Sequence, residues 1–179
     1  MVALAPLTAG LMLVTARITD RALTPTVFNA WYSDVHVRDM VSNRFASIAL
    51  RYTNFTSPSG GKPVDYLAPN ANYLALYNVP DVDFIAKPGT MDHLPLNHPS
   101  LPDKVNPVTK WSAWTFTYWV PIQTFEGKNT VATTRPKYAM VIKIEPAKGT
   151  DEDLDQWYRK EVGPRPTKAL TGSIRGNVS

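Results

Sequence analysis

One amphipathic helix pattern occurs twice in this chain, and it constrains the fold more than any other feature. In the first copy, Thr24 suits an N-cap and Pro25 suits the first helical position, where no backbone donor is needed. The bulky side chains that follow recur at helical spacing on one face: Phe28, Trp31, Tyr32, Val35, His36 and Asp39. The sequence therefore predicts an N-capped helix with an aromatic face.

The second copy begins at Thr150, with acidic residues in its first turn and Asp153 at the capping-box position. Trp157 follows Trp31 by 126 residues (157 − 31). The same offset, without a gap, superposes further identical pairs: Thr24 and Thr150, Tyr32 and Tyr158, Ile18 and Ile144, Ser47 and Ser173, Ile48 and Ile174. We interpret this as an internal duplication of a strand–helix–strand unit.

Around the first helix, apolar and β-branched stretches predict four strands, at 11–18, 44–55, 73–79 and 111–125. A short helical stretch follows Pro80-Asp81, and a Pro-rich loop covers 88–108. This order is βαββαβ, so the fold class is α+β. We expect residues 1–130 to form a first ferredoxin-like repeat and residues 136–179 a partial second repeat that packs on the first.

A family resemblance adds to this pattern. The helix with Trp31, Tyr32 and His36, together with the segments VPIQTFEG and YAMVIKIEP, resembles EthD-like proteins of the dimeric α+β-barrel superfamily. The long two-repeat forms of filamentous fungi are most similar, although here the second repeat stops early. The resemblance implies a ferredoxin-like dimeric barrel of about one and a half repeats, and an uncovered sheet edge in the shortened repeat favours a homodimer.

Composition narrows the classes of function. The chain has 179 residues and a net charge of +4, but its Lys and Arg residues are scattered, which disfavours nucleic-acid binding. With 0 Cys it has no disulfide and no thiolate metal site, which fits an intracellular protein. We interpret residues 1–18 as a tail and a first strand, not an export signal, and no apolar run reaches the roughly 20 residues of a membrane span. We expect a cytoplasmic protein without a membrane partner.

His36 is the strongest candidate for chemistry, because an imidazole exchanges protons near neutral pH. By resemblance it is a pocket residue and an acid/base. Alternatively, His36 is a half-buried helix histidine that is hydrogen-bonded to a neighbour, and the sequence favours neither role over the other. Its counterpart in the second repeat is Val162, so only the first repeat keeps such a group. Asp39, three residues on, would orient the ring or raise its pKa, although an exposed carboxylate is the commoner role.

The aromatic residues have both a packing and a binding interpretation. Trp31 and Tyr32 recur in both repeats, which favours packing for Trp31 and leaves the Tyr32 hydroxyl for a pocket. Trp114, Phe116 and Tyr118 alternate on one face of the last strand, where core is about twice as plausible as a wall for a flat ligand. The remaining candidate ligand contact is His93, as a lid residue of the Pro-rich loop.

No metal or nucleotide cofactor is expected. Asp92, His93 and His98 match no metal-ligand spacing, and neither a Walker loop nor a GxGxxG motif is present. By resemblance, we expect a cofactor-independent lyase or cyclase in secondary metabolism that acts on a small hydrophobic, polyketide-type intermediate. Two alternatives stay open: a cofactor-free oxygenase on the same scaffold, and a non-catalytic small-molecule-binding accessory protein.

Overall fold

A computed structural model describes residues 7–53, 71–123 and 146–162, the single residues 139, 141 and 144, and the backbone of 173–177. The chain divides into two compact units. One comprises Met1–Val120 with Arg175–Ser179, and the other comprises Pro121–Ile174. Within the described part, no helix is both long enough and apolar enough to cross a lipid bilayer.

An antiparallel sheet forms the frame of the first unit. Its first four strands are β1 (Gly10–Ile18), β2 (Ile48–Thr53), β3 (Tyr73–Val79) and β4 (Ser112–Gln123). They lie in the order β2-β3-β1-β4, with β5 (Ser173–Asn177) beyond β4. All three pairings among the first four strands are antiparallel. This order is that of a ferredoxin-like βαββαβ unit, and the predicted α+β class is confirmed.

The helical segment between β1 and β2 is continuous but not uniform. It consists of α1 (Pro25–Trp31), a π-helical segment (Tyr32–His36) and α2 (Val37–Ser42). The Thr24 hydroxyl accepts a hydrogen bond from the Val27 amide at 3.3 Å, so the predicted N-cap is confirmed. In the middle, the Val37 amide donates to the Tyr32 carbonyl, five residues back, which is the bond that defines a π turn.

The core lies between this helical segment and one face of the sheet. Alternate residues of β1 and β3 point toward the helix, and Met12, Val14 and Tyr77 are buried among them. In the register, Val14 lies opposite Ala75 of β3 and Phe116 of β4. The Pro-rich stretch after α3 (Val82–Ile85) adds further buried side chains to this core: Leu94, Leu101 and Val108.

The second strand is shorter than the sequence indicates. It was expected from Arg44, but β2 begins at Ile48. The amides of Phe45 and Ala46 both donate to the Met40 carbonyl, at 3.0 and 3.2 Å, because these residues close the end of α2. Arg44 has a positive φ of 61°, which turns the chain at this point. The predicted residues 54 and 55 lie outside the described part of the chain.

The second unit contains the repeated helix. It consists of α4 (Asp151–Trp157) and a second π-helical segment (Tyr158–Val162), at the 126-residue offset from their counterparts (151 − 25). The predicted side-chain cap is wrong, since the Thr150 hydroxyl donates to the Ala147 carbonyl at 2.8 Å and caps no helix amide. Most of the strand expected at 138–144 lies outside the described residues.

Candidate functional site

Three buried rings and one partly buried ring form a cluster on the core side of the helix. This aromatic cluster consists of Trp31, Tyr32, His36 and Trp114. The His36 ring lies 5.2 Å from that of Trp31, 5.0 Å from that of Tyr32 and 5.8 Å from that of Trp114, measured between centroids. The structure therefore brings together four of the residues predicted from the sequence.

The π-helical segment explains how Trp31 and His36 meet. In a regular α-helix, residues five apart point in directions about 140° apart, so their side chains do not touch. The wider π turn reduces this angle, and the rings of Trp31 and His36 stack with only 19° between their planes. Single π turns of this kind occur frequently at functional sites.

His36 is a buried neutral imidazole. The residue is 7% exposed, and its Nδ1 atom is buried with no hydrogen-bond partner in the described part of the chain. Burial and, to a smaller extent, the positive charge of Arg51 together lower the pKa of His36 from 6.5 to about 4. At neutral pH the ring is therefore uncharged and has an unused polar atom. Such a group accepts or relays a proton.

Asp39 does not act on His36 as expected from the sequence. The pKa of His36 is lowered and not raised, and neither Nδ1 of His36 nor Oδ2 of Asp39 has a hydrogen-bond partner. The expectation that Asp39 orients the ring or raises its pKa is therefore wrong. The physical reason is that the imidazole stacks on Trp31, where burial and Arg51 determine its charge state.

Arg51 is a central residue of the site that the sequence analysis missed. Its guanidinium lies 4.1 Å from the centre of the Tyr32 ring, within the range of a cation–π contact. It donates to the Asn29 carbonyl at 3.3 Å, the Asn29 side-chain oxygen at 3.0 Å and the Ser33 hydroxyl at 2.8 Å. These acceptors are all neutral.

A second missed residue is Tyr77 of β3. Its hydroxyl donates to the Tyr32 hydroxyl at 2.9 Å, and both side chains are fully buried. Burial raises the pKa of Tyr32 to about 12 and raises the pKa of Tyr77 well above 10. Both phenols are therefore neutral hydrogen-bonding groups.

Strand β4 extends the aromatic cluster toward the surface. The rings of Tyr32 and Trp114 are nearly parallel, with 10° between their planes, and Phe116 stacks on Trp114 at 17°. Phe116 is 46% exposed, and Tyr118 is partly buried against the core. Tyr32, Trp114 and Phe116 thus form an aromatic row that runs from the core to solvent.

His93 lies apart from the aromatic cluster. Its ring contacts Phe45 at 5.2 Å and its side chain is exposed. His98 pairs instead with the Ser100 hydroxyl, at 2.8 Å. Among the residues that the structure describes, no three His, Cys, Asp or Glu side chains are grouped in a way that would hold a metal ion.

The missed residues did leave a signal in the sequence. Arg51 lies on the same face of β2 as Ala49, which packs against the core cluster. A lone charge on the inward face of a strand indicates either a partner inside or a functional site. Tyr77 likewise follows the inward alternation of β3, where its hydroxyl needs a partner.

No family model matches the chain, and no solved structure matches it. The chain is 31% identical over 91 residues to "Core atranone cluster (CAC) protein 1" of Stachybotrys chlorohalonatus (strain IBT 40285). The match covers 51% of this chain and 35% of that protein, so the chain spans about a third of the length of this relative.

Proposed function

We propose that the chain is a cofactor-independent lyase or cyclase in which neutral His36 is the general base. The observation that carries this proposal is the buried imidazole, which has an unpartnered Nδ1 among three aromatic rings. A buried polar atom without a partner costs stability, and such atoms are tolerated at sites that bind or react. The exposed end of the aromatic row supports a small, hydrophobic, flat substrate.

The proposed reaction needs only proton transfer. His36 takes a proton from a carbon next to a substrate carbonyl, and the electron pair of that bond forms an enolate. The enolate carbon then attacks a second carbonyl of the same molecule to close a ring, or the electron pair expels a β-hydroxyl group as water after protonation. The imidazolium returns its proton to the oxygen that receives the charge. Burial of the rings keeps bulk water away from these steps.

Two likenesses support a role in secondary metabolism. The matched relative has a name that places it in an atranone cluster, which is a secondary-metabolite cluster. The resemblance of Trp31, Tyr32 and His36 to EthD-like proteins points in the same direction. The ferredoxin-like strand order is compatible with that superfamily.

We also propose that the chain works in the cytoplasm as a homodimer. Supporting the dimer, the sheet face without the helix carries apolar side chains on edge strand β2 and its neighbour β3: Ile48, Leu50, Leu74 and Leu76. Ile48 is 55% exposed. A second copy of the same face would bury these side chains. Light scattering on the purified protein tests this, and a strictly monomeric mass contradicts it.

The activity test uses the organism that encodes the protein. The gene is disrupted, the purified protein is added to the mutant extract, and the masses of small molecules are followed by chromatography with and without oxygen. We expect a new compound that forms without oxygen, either at unchanged mass or by loss of water or carbon dioxide. His36→Gln should abolish its formation, whereas Arg38→Gln, an exposed change on the same helix, should not.

The other outcomes identify the alternatives. A product that gains mass only in the presence of oxygen contradicts the lyase or cyclase and supports the oxygenase. If nothing is converted and the two extracts do not differ, the chain is a binding or accessory protein, and the role of His36 as a base is wrong.

A further inference from the structure

Arg51 has a charge that the described residues do not neutralise. The side chain is half-buried, and its three hydrogen bonds within the described part of the chain go to neutral oxygens of Asn29 and Ser33. A buried charge is normally paired, because its removal from water is unfavourable. The cation–π contact with Tyr32 offsets only part of this cost.

The donor count shows what the guanidinium can still bind. Arginine carries five N–H donors in a planar fork. The bonds to Asn29 and Ser33 use three of them, and the other two have no partner among the residues that the structure describes. Two N–H groups are what a carboxylate engages when it binds an arginine in the bidentate mode.

The second repeat lacks the same group. The counterpart of Arg51 at the 126-residue offset is Asn177, and the counterparts of Asn29 and Ser33 are Asp155 and Arg159. There, Arg159 pairs with Asp155 within the helix, at 2.8 Å. The second copy has Val162 and Asn177 at the positions of His36 and Arg51, so the first copy alone carries both groups at these positions.

We propose that Arg51 is a subsite for a carboxylate group, so that the substrate is a planar aromatic or polyketide-type acid. This inference deepens the proposed function and rests on it, because the bound acid is a substrate only if the protein is an enzyme. The carboxylate forms a bidentate pair with the two remaining donors and supplies the missing negative charge. Tyr32 links the subsite to the base, since its ring contacts both Arg51 and His36.

The subsite has a consequence for His36 that is separate from turnover. The charge of Arg51 is one of the two causes that lower the pKa of His36. A carboxylate bound to Arg51 would cancel that charge, so the pKa of His36 rises when the acid binds. The base would therefore become stronger once the substrate is in place.

The test uses two probes of the same shape, 2-naphthoate and its neutral amide, 2-naphthamide. Binding is measured by calorimetry and by quenching of tryptophan fluorescence. We expect naphthoate to bind the unaltered protein about tenfold or more tightly than naphthamide, and Arg51→Met to remove this difference while leaving naphthamide binding unchanged. Arg38→Met, which removes an exposed arginine from α2, serves as the matched control.

A structural role for Arg51 gives different results. If Arg51 is only a tether between strand and helix, Arg51→Met weakens both probes equally, and this contradicts the subsite. Equal binding of the two probes by the unaltered protein also contradicts it, and that comparison needs no folded variant. Arg51→Lys keeps the charge but not the fork, so we expect it to bind naphthoate at an intermediate strength.

Different experimental results would contradict the carboxylate subsite and the proposed function. Naphthoate binding should persist in His36→Gln, and in the unaltered protein the His36 ring resonances should titrate at higher pH with naphthoate than without it. Turnover of an uncharged substrate that depends on His36 overturns the subsite and leaves the proposed base intact. Selective naphthoate binding without any turnover keeps the subsite and removes the enzyme.

Discussion

The indole of Trp31 and the imidazole of His36 stack at 5.2 Å between centroids, although five residues separate them along the helix. A π-helical segment makes this contact possible, and the same kind of segment recurs at Tyr158–Val162 in the second repeat. The turn geometry is thus repeated, while the histidine occurs only in the first copy. The second helix has Val162 at the position of His36, so within the described part of the chain the stacked Trp–His pair occurs in the first helix alone.

The two equivalent tryptophans should contribute very differently to stability. Trp31 is 1% exposed and Trp157 is 51% exposed. We expect Trp31→Ala to lower the free energy of unfolding by about 3–5 kcal/mol, because it leaves a cavity in the aromatic cluster. Trp157→Ala, the matched control, should cost less than about 1 kcal/mol. Urea denaturation followed by circular dichroism compares them, and equal costs would contradict the buried position of Trp31.

The charge state of His36 predicts a pH dependence of stability. Its pKa is about 4 in the folded state and 6.5 in the unfolded state. Below 6.5 the unfolded chain binds a proton that the folded chain does not, so this stabilisation is present above pH 6.5 and decreases as the pH falls toward 4. The full loss is on the order of 3 kcal/mol. Denaturation of the protein and of His36→Gln at a series of pH values measures it, and the same pH slope in both would disprove the shift.

The hydroxyl pair of Tyr32 and Tyr77 should behave as a coupled unit. Each single change to Phe leaves the other buried hydroxyl without this partner, and we expect a cost of about 1–3 kcal/mol. The double change removes both hydroxyls and should cost less than the sum of the single changes. A double-mutant cycle by chemical denaturation gives the coupling energy between the two hydroxyls. Strictly additive changes in the free energy of unfolding would contradict the coupling.

Gly10 should not tolerate a side chain. A Cβ atom there would overlap both the Val82 side chain and the Trp119 carbonyl. We expect Gly10→Ala to destabilise the first unit by roughly 2 kcal/mol or more, because β1 and β4 would have to separate. Val82→Ala should relieve only part of this loss, since the Trp119 backbone remains. The shift of the thermal transition measures both variants, and an unchanged Gly10→Ala transition would rule out the close approach.

Local patterns predicted the main elements well. The bounds of β3 agree with the sequence pattern at Tyr73–Val79, and the Thr24 cap is found as expected. These features depend on alternation and capping within short segments. The start of β2 was wrong because the bonds of Phe45 and Ala46 to Met40 depend on how α2 ends, which the alternation pattern does not report.

The site could be predicted only in part. Trp31, Tyr32, His36 and Trp114 were named from the sequence and lie together, because a helix face and a strand face each have a readable period. The π turn, the contact of Arg51 with Tyr32 and the Tyr77 hydroxyl bond arise from packing between distant segments. His93, predicted as a lid residue, contacts Phe45 and lies apart from the aromatic cluster. Its position could not be predicted, because the Pro-rich loop has no periodic sequence pattern.

The role of His36 as the base is tested by the pH dependence of turnover in the protein and in His36→Val, which introduces the residue of the second repeat. We expect kcat/KM to rise with pH through about 4, the pKa of His36, and then to stay level through neutral pH. We expect His36→Val to lower kcat by about 10²- to 10⁴-fold, the usual contribution of a general base. Turnover in His36→Val at the level of the unaltered protein, with the same pH profile, would contradict this role.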